Sequence, residues 1–133
     1  MLAELEGALF EELRTNTHLR MFVESRFGLP LSVMRGDEDI QAPPLLAVTL
    51  TRAAYSAGSH GGEAAFSLLF LLPLTGEEDL VWCYRLADAV APVLRRVKGA
   101  RAGVLTSVEL AGISPPEEGS SEWAVEITAA FGF

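Results

Sequence analysis

The sequence predicts an α+β protein in which two main helices pack on one face of a four- to five-stranded sheet, antiparallel or mixed. Two observations support this class. Apolar residues recur every three or four positions near the start and in the middle of the chain, which is typical of amphipathic helices. Elsewhere apolar and polar residues alternate, in paired segments separated by glycine-, proline- or serine-rich stretches, which is typical of hairpins. With 133 residues, the chain is predicted to form a single domain, 1–133.

The chain begins with a predicted helix. Its four leucines recur at spacings of three and four, and Thr15–Thr17 end the pattern: Leu2, Leu5, Leu9, Leu13. In the next segment, Leu19–Glu24, apolar residues stand at alternate positions, which predicts a short strand. The predicted order of elements is therefore helix, strand, long loop, two strands, helix, two strands.

A long irregular segment, Gly28–Pro44, follows this predicted strand. It is rich in glycine and proline, with a brief strand predicted at Leu31–Met34. It also carries an acidic run, Asp37, Glu38 and Asp39. Long loops in small domains often have a function, so this run is a candidate contact with a partner.

Two strands, Leu45–Ser56 and Glu63–Leu72, are predicted to form a long hairpin. Its tip is the glycine-rich stretch from Gly58 to Gly62, in which Ser59 and His60 are candidate contacts with a partner or a further copy. The second strand is apolar on both faces because Leu69 and Leu71 oppose its main apolar set. It is therefore predicted to be a central strand or part of an interface.

The clearest predicted helix follows this hairpin. Thr75–Glu78 has the pattern of a capping box, and two neighbouring apolar stripes extend from Leu80 to Val97. Basic residues near its end suit the negative end of the helix dipole, and Gly99 is a predicted cap. Pro92 lies inside the helix, where a kink is expected.

The chain closes with a second predicted hairpin. Its first strand is Val104–Ile113, with Val104, Thr106, Val108 and Leu110 expected on one face. Its last strand is Glu122–Phe133. Six apolar residues at alternate positions of this strand are expected on one face: Trp123, Val125, Ile127, Ala129, Phe131, Phe133. Phe131 and Phe133 are candidate subunit contacts because they lie at the end of the chain.

The charge disfavours two classes of partner. The chain has ten lysines and arginines and eighteen acidic residues, which gives a formal charge of −8. Proteins that bind duplex DNA or anionic membranes normally carry a basic face, so neither sequence-specific nucleic-acid binding nor membrane binding is expected. Glu4 and Glu6 interrupt the first apolar positions, so no signal peptide is predicted. A cytoplasmic protein is expected.

The sequence predicts no catalytic residue, no cofactor-binding residue and no metal site. His18 and His60 have no ligand neighbours at metal-site spacing, and the acidic run lacks the pattern of a calcium-binding loop. Cys83 lies on the apolar face of the second predicted helix, as a buried structural thiol would. A catalytic triad can assemble from distant residues, but no Gly-x-Ser-x-Gly motif marks a nucleophile. A protein that is not an enzyme is therefore the prediction.

The layout of elements resembles the tail-terminator, or tail-completion, proteins of long-tailed bacteriophages and prophages. The resemblance lies in the helix that begins Leu2-Ala3-Glu4-Leu5-Glu6 and in the loop that ends Ala42-Pro43-Pro44 before a strand. It continues through the long hairpin, the helix near Tyr84–Val97 and the closing hairpin. It covers nearly the whole chain and contains no diagnostic motif.

This resemblance implies a structural protein that forms a ring, commonly a hexamer, on the end of the tail tube. Its implied partners are further copies of itself, the tail-tube proteins and the head connector, first in the host cytoplasm and then in the virion. It also implies a sheet that helps to line the ring, with loops and hairpin tips against neighbouring subunits. An acidic protein would suit a channel through which DNA slides without sticking.

Two other classes remain open from the sequence. The first is a small dimeric regulatory or ligand-binding domain of ferredoxin-like design, in which the face with Leu69 and Leu71 meets a second subunit or a ligand. The second is a small enzyme whose site forms only across a subunit interface. Native mass and bound small molecules would separate these classes.

Overall fold

The computed structural model describes residues 2–36, 42–55, 61–74, 79–97, 104–119 and 121–132. Three helices and five strands lie within these ranges: α1 (Leu2–Thr15), α2 (Thr17–Phe27), β1 (Ser32–Arg35), β2 (Leu45–Tyr55), β3 (Gly62–Leu72), α3 (Asp79–Arg95), β4 (Val104–Ser114) and β5 (Trp123–Gly132). This is the predicted α+β class, with one helix more than expected. None of these helices is long and apolar enough to cross a membrane.

The five strands form one mixed sheet in the order β1-β2-β3-β5-β4. The short strand β1 runs parallel to β2, and every other neighbouring pair is antiparallel. The long hairpin of β2 and β3 and the closing hairpin of β4 and β5 are confirmed. The third strand lies in the middle of the sheet, as the apolar residues on both of its faces predicted.

The prediction of a strand at Leu19–Glu24 is wrong, because these residues lie inside helix α2. Asn16 caps this helix, since its side chain accepts a hydrogen bond of 3.0 Å from the amide of Leu19. Gly28 ends it with a φ of 70°. The apolar positions at 19 and 23 also fit a helical turn, and both side chains are fully buried. The two caps show that this segment is a helix and not a strand.

Helix α2 is held against α3 by an aromatic cluster and an ion pair. The Trp82 ring stacks on Phe22 and meets Phe27 edge-on, both at 5.2 Å between ring centroids. The guanidinium of Arg26 donates to the carboxylate of Asp79, the first residue of α3, which is 2% exposed. These contacts exist only if residues 17–27 are helical, so tertiary packing supports the same choice as the caps.

The three helices cover one face of the sheet, as predicted, and share one core with it. Helix residues such as Leu9, Val23 and Leu86 pack with the sheet residues Phe66 and Phe70. Burial of this apolar area is the main stabilising term of the fold. The opposite face of the sheet contributes nothing to this cluster.

The expected face of β4 is only partly right. Val108 and Leu110 point to the core side, but Val104 is 70% exposed and Thr106 is exposed too. The pairing with β5 shifts between residues 105 and 107, and again between 110 and 112. Each shift inserts an extra residue, which reverses the alternation along the strand. The core side of β4 therefore consists of Leu105, Val108, Leu110 and Ile113.

Pro92 lies inside α3 as predicted, with its ring exposed to solvent. The helix continues through it to Arg95. The predicted capping box at Thr75–Glu78 and the predicted cap at Gly99 lie outside the described residues.

Gly36 is required where β1 approaches β2. Its amide donates to the carbonyl of Val48 at 2.9 Å, and a Cβ on this residue would stand 2.0 Å from Oγ1 of Thr49. We expect Gly36→Ala to lower the free energy of unfolding by about 1–3 kcal/mol, because the added methyl overpacks this contact. Urea denaturation measures the change.

Gly112→Ala is the matched control, since a Cβ at Gly112 meets nothing within 4 Å. Adding Thr49→Ala to Gly36→Ala should recover most of the loss by removing the clashing hydroxyl. An equal effect of the two glycine substitutions, or no recovery, would show that the contact with Thr49 is not the reason for the glycine.

Candidate functional site

The sheet face opposite the helices is the candidate site, and we call it the open face. Strand register assigns it alternate residues of four strands: Ala47, Thr49 and Arg52 of β2; Glu63, Ala65, Ser67, Leu69 and Leu71 of β3; Ala124, Glu126, Thr128 and Ala130 of β5; Ser107, Glu109 and Gly112 of β4. No described helix packs on it, since the buried residues of all three helices belong to the core on the other side.

One end of the open face is apolar. Leu69 and Leu71 are half-buried, with Ala47 and Ala124 beside them in the neighbouring strands. At the adjoining corner, Leu45 is 1% exposed although it does not belong to the core beneath the helices. Half-buried leucines flanked by small side chains form a shallow apolar surface that a partner can cover.

The rest of the open face is charged. Glu63 is exposed at the far end, together with Val104, which is 70% exposed. Glu109 is exposed at the middle of the face, level with Ser67, and Arg52 is the basic residue between these levels. The carboxylate of Glu126, level with Leu69, accepts a hydrogen bond of 2.9 Å from the hydroxyl of Ser67. The carboxylates on this face outnumber the guanidinium groups three to one, which favours a partner that is apolar at one end and basic beyond it.

Three of the nine predicted contact residues lie in the described part of the chain. Leu69 and Leu71 are side by side on the open face. Phe131 is fully buried on the helix side, where its ring meets Phe66 edge-on at 6.0 Å between centroids. Its side chain is part of the core and is not presented to a partner. The other six lie outside the described residues: Asp37, Glu38, Asp39, Ser59, His60, Phe133.

The acidic residues of the open face were not predicted as site residues, although a signal for them exists. Glu126 and Thr128 stand on the polar positions of β5 in the sequence pattern. The pattern could not show that β5 lies next to β3, which places Glu126 directly beside Leu69. Only the order of strands joins the leucines and the carboxylates on one surface.

The described residues show no grouping suited to catalysis by a metal. Among them, no three His, Cys, Asp or Glu side chains converge to hold a metal ion.

His18 is exposed at the start of α2, where it lines a cleft of about 360 Å³ with Phe22 and Pro92. A larger cleft, about 510 Å³, lies between α3 and β4 and is lined by residues such as Tyr84, Asp88 and Leu105.

Cys83 is a buried thiol, as predicted, with no exposed surface. Burial raises the pKa of this thiol from its ordinary 9.0 to about 11, and the negative charge of nearby Asp79 adds to the effect. A thiolate is the reactive form of cysteine, so this residue is protonated and inert near neutral pH. Its position makes it a packing residue of α3.

The raised pKa of Cys83 predicts a loss of stability at high pH. The folded protein keeps this proton at pH values where the unfolded chain releases it, so the folded state loses relative stability as the pH rises from 9 to about 11. Below pH 9 the thiol is protonated in both states, so it does not change the free energy of unfolding with pH. We expect the difference in free energy of unfolding between wild type and Cys83→Ala to shrink by about 1–3 kcal/mol over this range. A difference that stays constant with pH would contradict this assignment.

Comparison with known proteins gives a likeness of fold. No protein-family model and no curated protein matches the sequence. A chain from the solved structure of the virion of a native gene transfer agent particle does match. The two chains are 14% identical, the alignment covers 98% of this chain and 95% of that chain, and the TM-score is 0.56. The two chains share their fold over nearly their full lengths.

The order of elements also bears on the ferredoxin-like alternative. A ferredoxin-like domain follows the order β-α-β-β-α-β, in which a helix follows the first strand. Here two helices precede all strands, and three strands follow one another before α3. This chain is therefore not of ferredoxin-like design, and a regulatory or ligand-binding dimer would need another precedent.

Proposed function

We propose that this chain is a structural protein of a phage-like particle, of the tail-terminator type. Copies of it would form a ring on the end of the tail tube and complete the tail for joining to the head. The observation that carries the proposal is the shared fold, over nearly the full length of both chains, with a chain of a gene transfer agent virion. The chain would act in the host cytoplasm and then remain in the virion.

Two further observations support a role in assembly. The open face presents Leu69 and Leu71 on a surface that no described helix covers, as expected of a protein that packs against copies of itself. The formal charge of −8 opposes tight binding to phosphates, which suits a ring through which DNA must pass freely. Neither observation requires catalysis, and we propose that the protein is not an enzyme.

The function is tested by deleting the gene in a strain that produces the particles. We expect electron microscopy to show filled heads and separate tails, or tails of irregular length, in place of joined particles. Supplying the protein from a plasmid should restore joining. Normal joined particles in the deletion strain would refute the proposed function.

Native mass provides a second and independent test of the ring. Light scattering after size exclusion, over a range of concentrations, should show a hexamer or a monomer that assembles into a ring as concentration rises. A dimer that is stable at all concentrations would favour the regulatory or ligand-binding class instead.

A further inference from the structure

We propose that the open face binds the outer side of helix α3 of a second copy, so that copies join head to tail. This inference rests on the proposed self-assembly and names the two surfaces that form the contact. The outer stripe of α3 consists of exposed residues spaced three or four apart: Val81, Tyr84, Arg85, Asp88, Pro92 and Arg95. It lies on the helix layer, on the opposite side of the molecule from the open face.

The outer stripe is apolar at its start and basic at its end. Val81 and Tyr84 are each 56% exposed, unusually high for large apolar side chains. Arg85 and Arg95 are also exposed, with Asp88 as the acidic residue between them. The stripe has a net positive charge, whereas the open face has a net negative one. The two surfaces are therefore complementary in charge, and each has an apolar end.

The two surfaces also match in length and in order. Val81 and Arg95 stand about 21 Å apart along the helix. Leu71 and Glu63 stand about 27 Å apart along β3. If Val81 is placed over Leu71, Arg85 is about 6 Å further along the helix, and Glu126 is about 7 Å further along the sheet.

The same alignment accounts for the second arginine of the stripe. Arg95 then lies at a level between the exposed carboxylates of Glu109 and Glu63. Arg85 thus falls level with Glu126 while the apolar ends coincide. Arg95 lies about 6–8 Å along the strands from the levels of Glu63 and Glu109, and Asp88 falls between the levels of Glu126 and Glu109. If the helix ran in the opposite direction, Arg95 would lie against the leucines. Its guanidinium would then be removed from water without a charged partner.

A symmetric contact between two open faces fits the same residues poorly. A two-fold axis would bring the acidic end either onto its own copy or onto the apolar end. The first arrangement opposes Glu63 to its own copy, and the second buries Glu63 against the leucines, so both are costly. A heterologous contact avoids both costs, and contacts of this kind close into rings when the rotation permits.

The open face can be compared in area with one side of a standard interface. Four strands spaced as in ordinary sheets, over the length from Leu71 to Glu63, give a flat area of about 500 Å². Side-chain relief increases the accessible area beyond this value. A standard interface takes about 800 Å² from each partner, so the open face supplies a large part of one side.

The contact is tested by mixing two variants that each add one cysteine to the native Cys83, Leu69→Cys and Tyr84→Cys, with a short bismaleimide linker. We expect a cross-linked dimer in the mixture and little in either variant alone. The double variant should give a ladder of higher oligomers. Cys83 does not interfere because its thiol is buried and protonated, and unaltered protein under the same conditions verifies this. Glu24→Cys, exposed on α2, mixed with Leu69→Cys is the matched control.

Charge reversal gives a second measurement that does not depend on linker geometry. Arg85→Glu with Arg95→Glu, or Glu63→Arg with Glu109→Arg, should each weaken self-association by about ten-fold or more. All four side chains are exposed, so the fold should be retained, and circular dichroism checks this. Mixing the two reversed proteins should restore assembly.

The possible outcomes separate this inference from the proposed function. Cross-linking of Leu69→Cys to itself would indicate a sheet-to-sheet dimer and overturn the inference. A ring in native-mass measurements that neither cross-links in the mixture nor responds to charge reversal would also overturn it, and leave the tail-terminator role intact. A protein that stays monomeric at every concentration would overturn the contact, while the deletion phenotype would still decide the function.

Discussion

Phe70→Ala is expected to lower the free energy of unfolding by about 3–5 kcal/mol. Phe70 is fully buried in the central strand, where it packs in the core that the sheet shares with all three helices. Removing the ring takes away its burial and leaves a cavity among side chains that cannot close completely. Such a loss is a large part of the stability of an ordinary domain, so urea denaturation should show a much lower midpoint.

Leu69→Ala is the control for this prediction because Leu69 is the preceding residue on the same strand and points to the open face. It is half-buried, so its truncation should cost clearly less than that of Phe70. Equal losses from the two substitutions would mean that both faces of β3 are equally buried in the protein as purified.

The double substitution Leu69→Glu with Leu71→Glu is expected to abolish self-assembly while the fold remains. Both leucines lie at the apolar end of the open face, and two carboxylates there would have to be removed from water without partners. We expect the self-association constant to fall by about 100-fold or more. Native mass from light scattering would then be that of the monomer at concentrations where wild type assembles.

Met21→Glu is the matched control for assembly. Met21 is 63% exposed on α2, outside both proposed surfaces. Its substitution adds the same kind of charge in place of an apolar side chain and should leave the native mass unchanged. Assembly that survives the double substitution on the open face would exclude that face as an interface, and assembly lost in both variants would indicate an unspecific effect of charge.

Most of the fold could be predicted because local patterns are strong in the long elements. Strands β2, β3 and β5 and helix α1 each extend over ten or more residues, so their apolar patterns repeat several times. The error at 19–24 has a clear cause: apolar residues at 19, 21 and 23 fit a strand, and those at 19 and 23 also fit a helix. Asn16 and Gly28, which cap the segment at its two ends, are the signals that favour the helix.

The site was less predictable than the fold. Leu69 and Leu71 stood out because they broke the expected alternation of a half-exposed strand. The position of Phe131 near the end of the chain predicts a subunit contact, yet the sheet places its side chain in the core. The apolar stripe of α3 predicts Tyr84 on the side that packs on the sheet, whereas this side chain is 56% exposed, because helical spacing alone does not mark where the buried face ends.

The sequence by itself determined the class of the fold, the two hairpins, the buried thiol and the acidic charge, since these depend on residue type and on short-range periodicity. Only the tertiary structure decided which sheet face the helices cover. Side-chain alternation distinguishes the two faces of a strand but does not show which face the helices cover. Strand order and the two register shifts in β4 are set by contacts between residues far apart in the chain. Those contacts bring Leu69 and Glu126 together on one surface, opposite the stripe of α3.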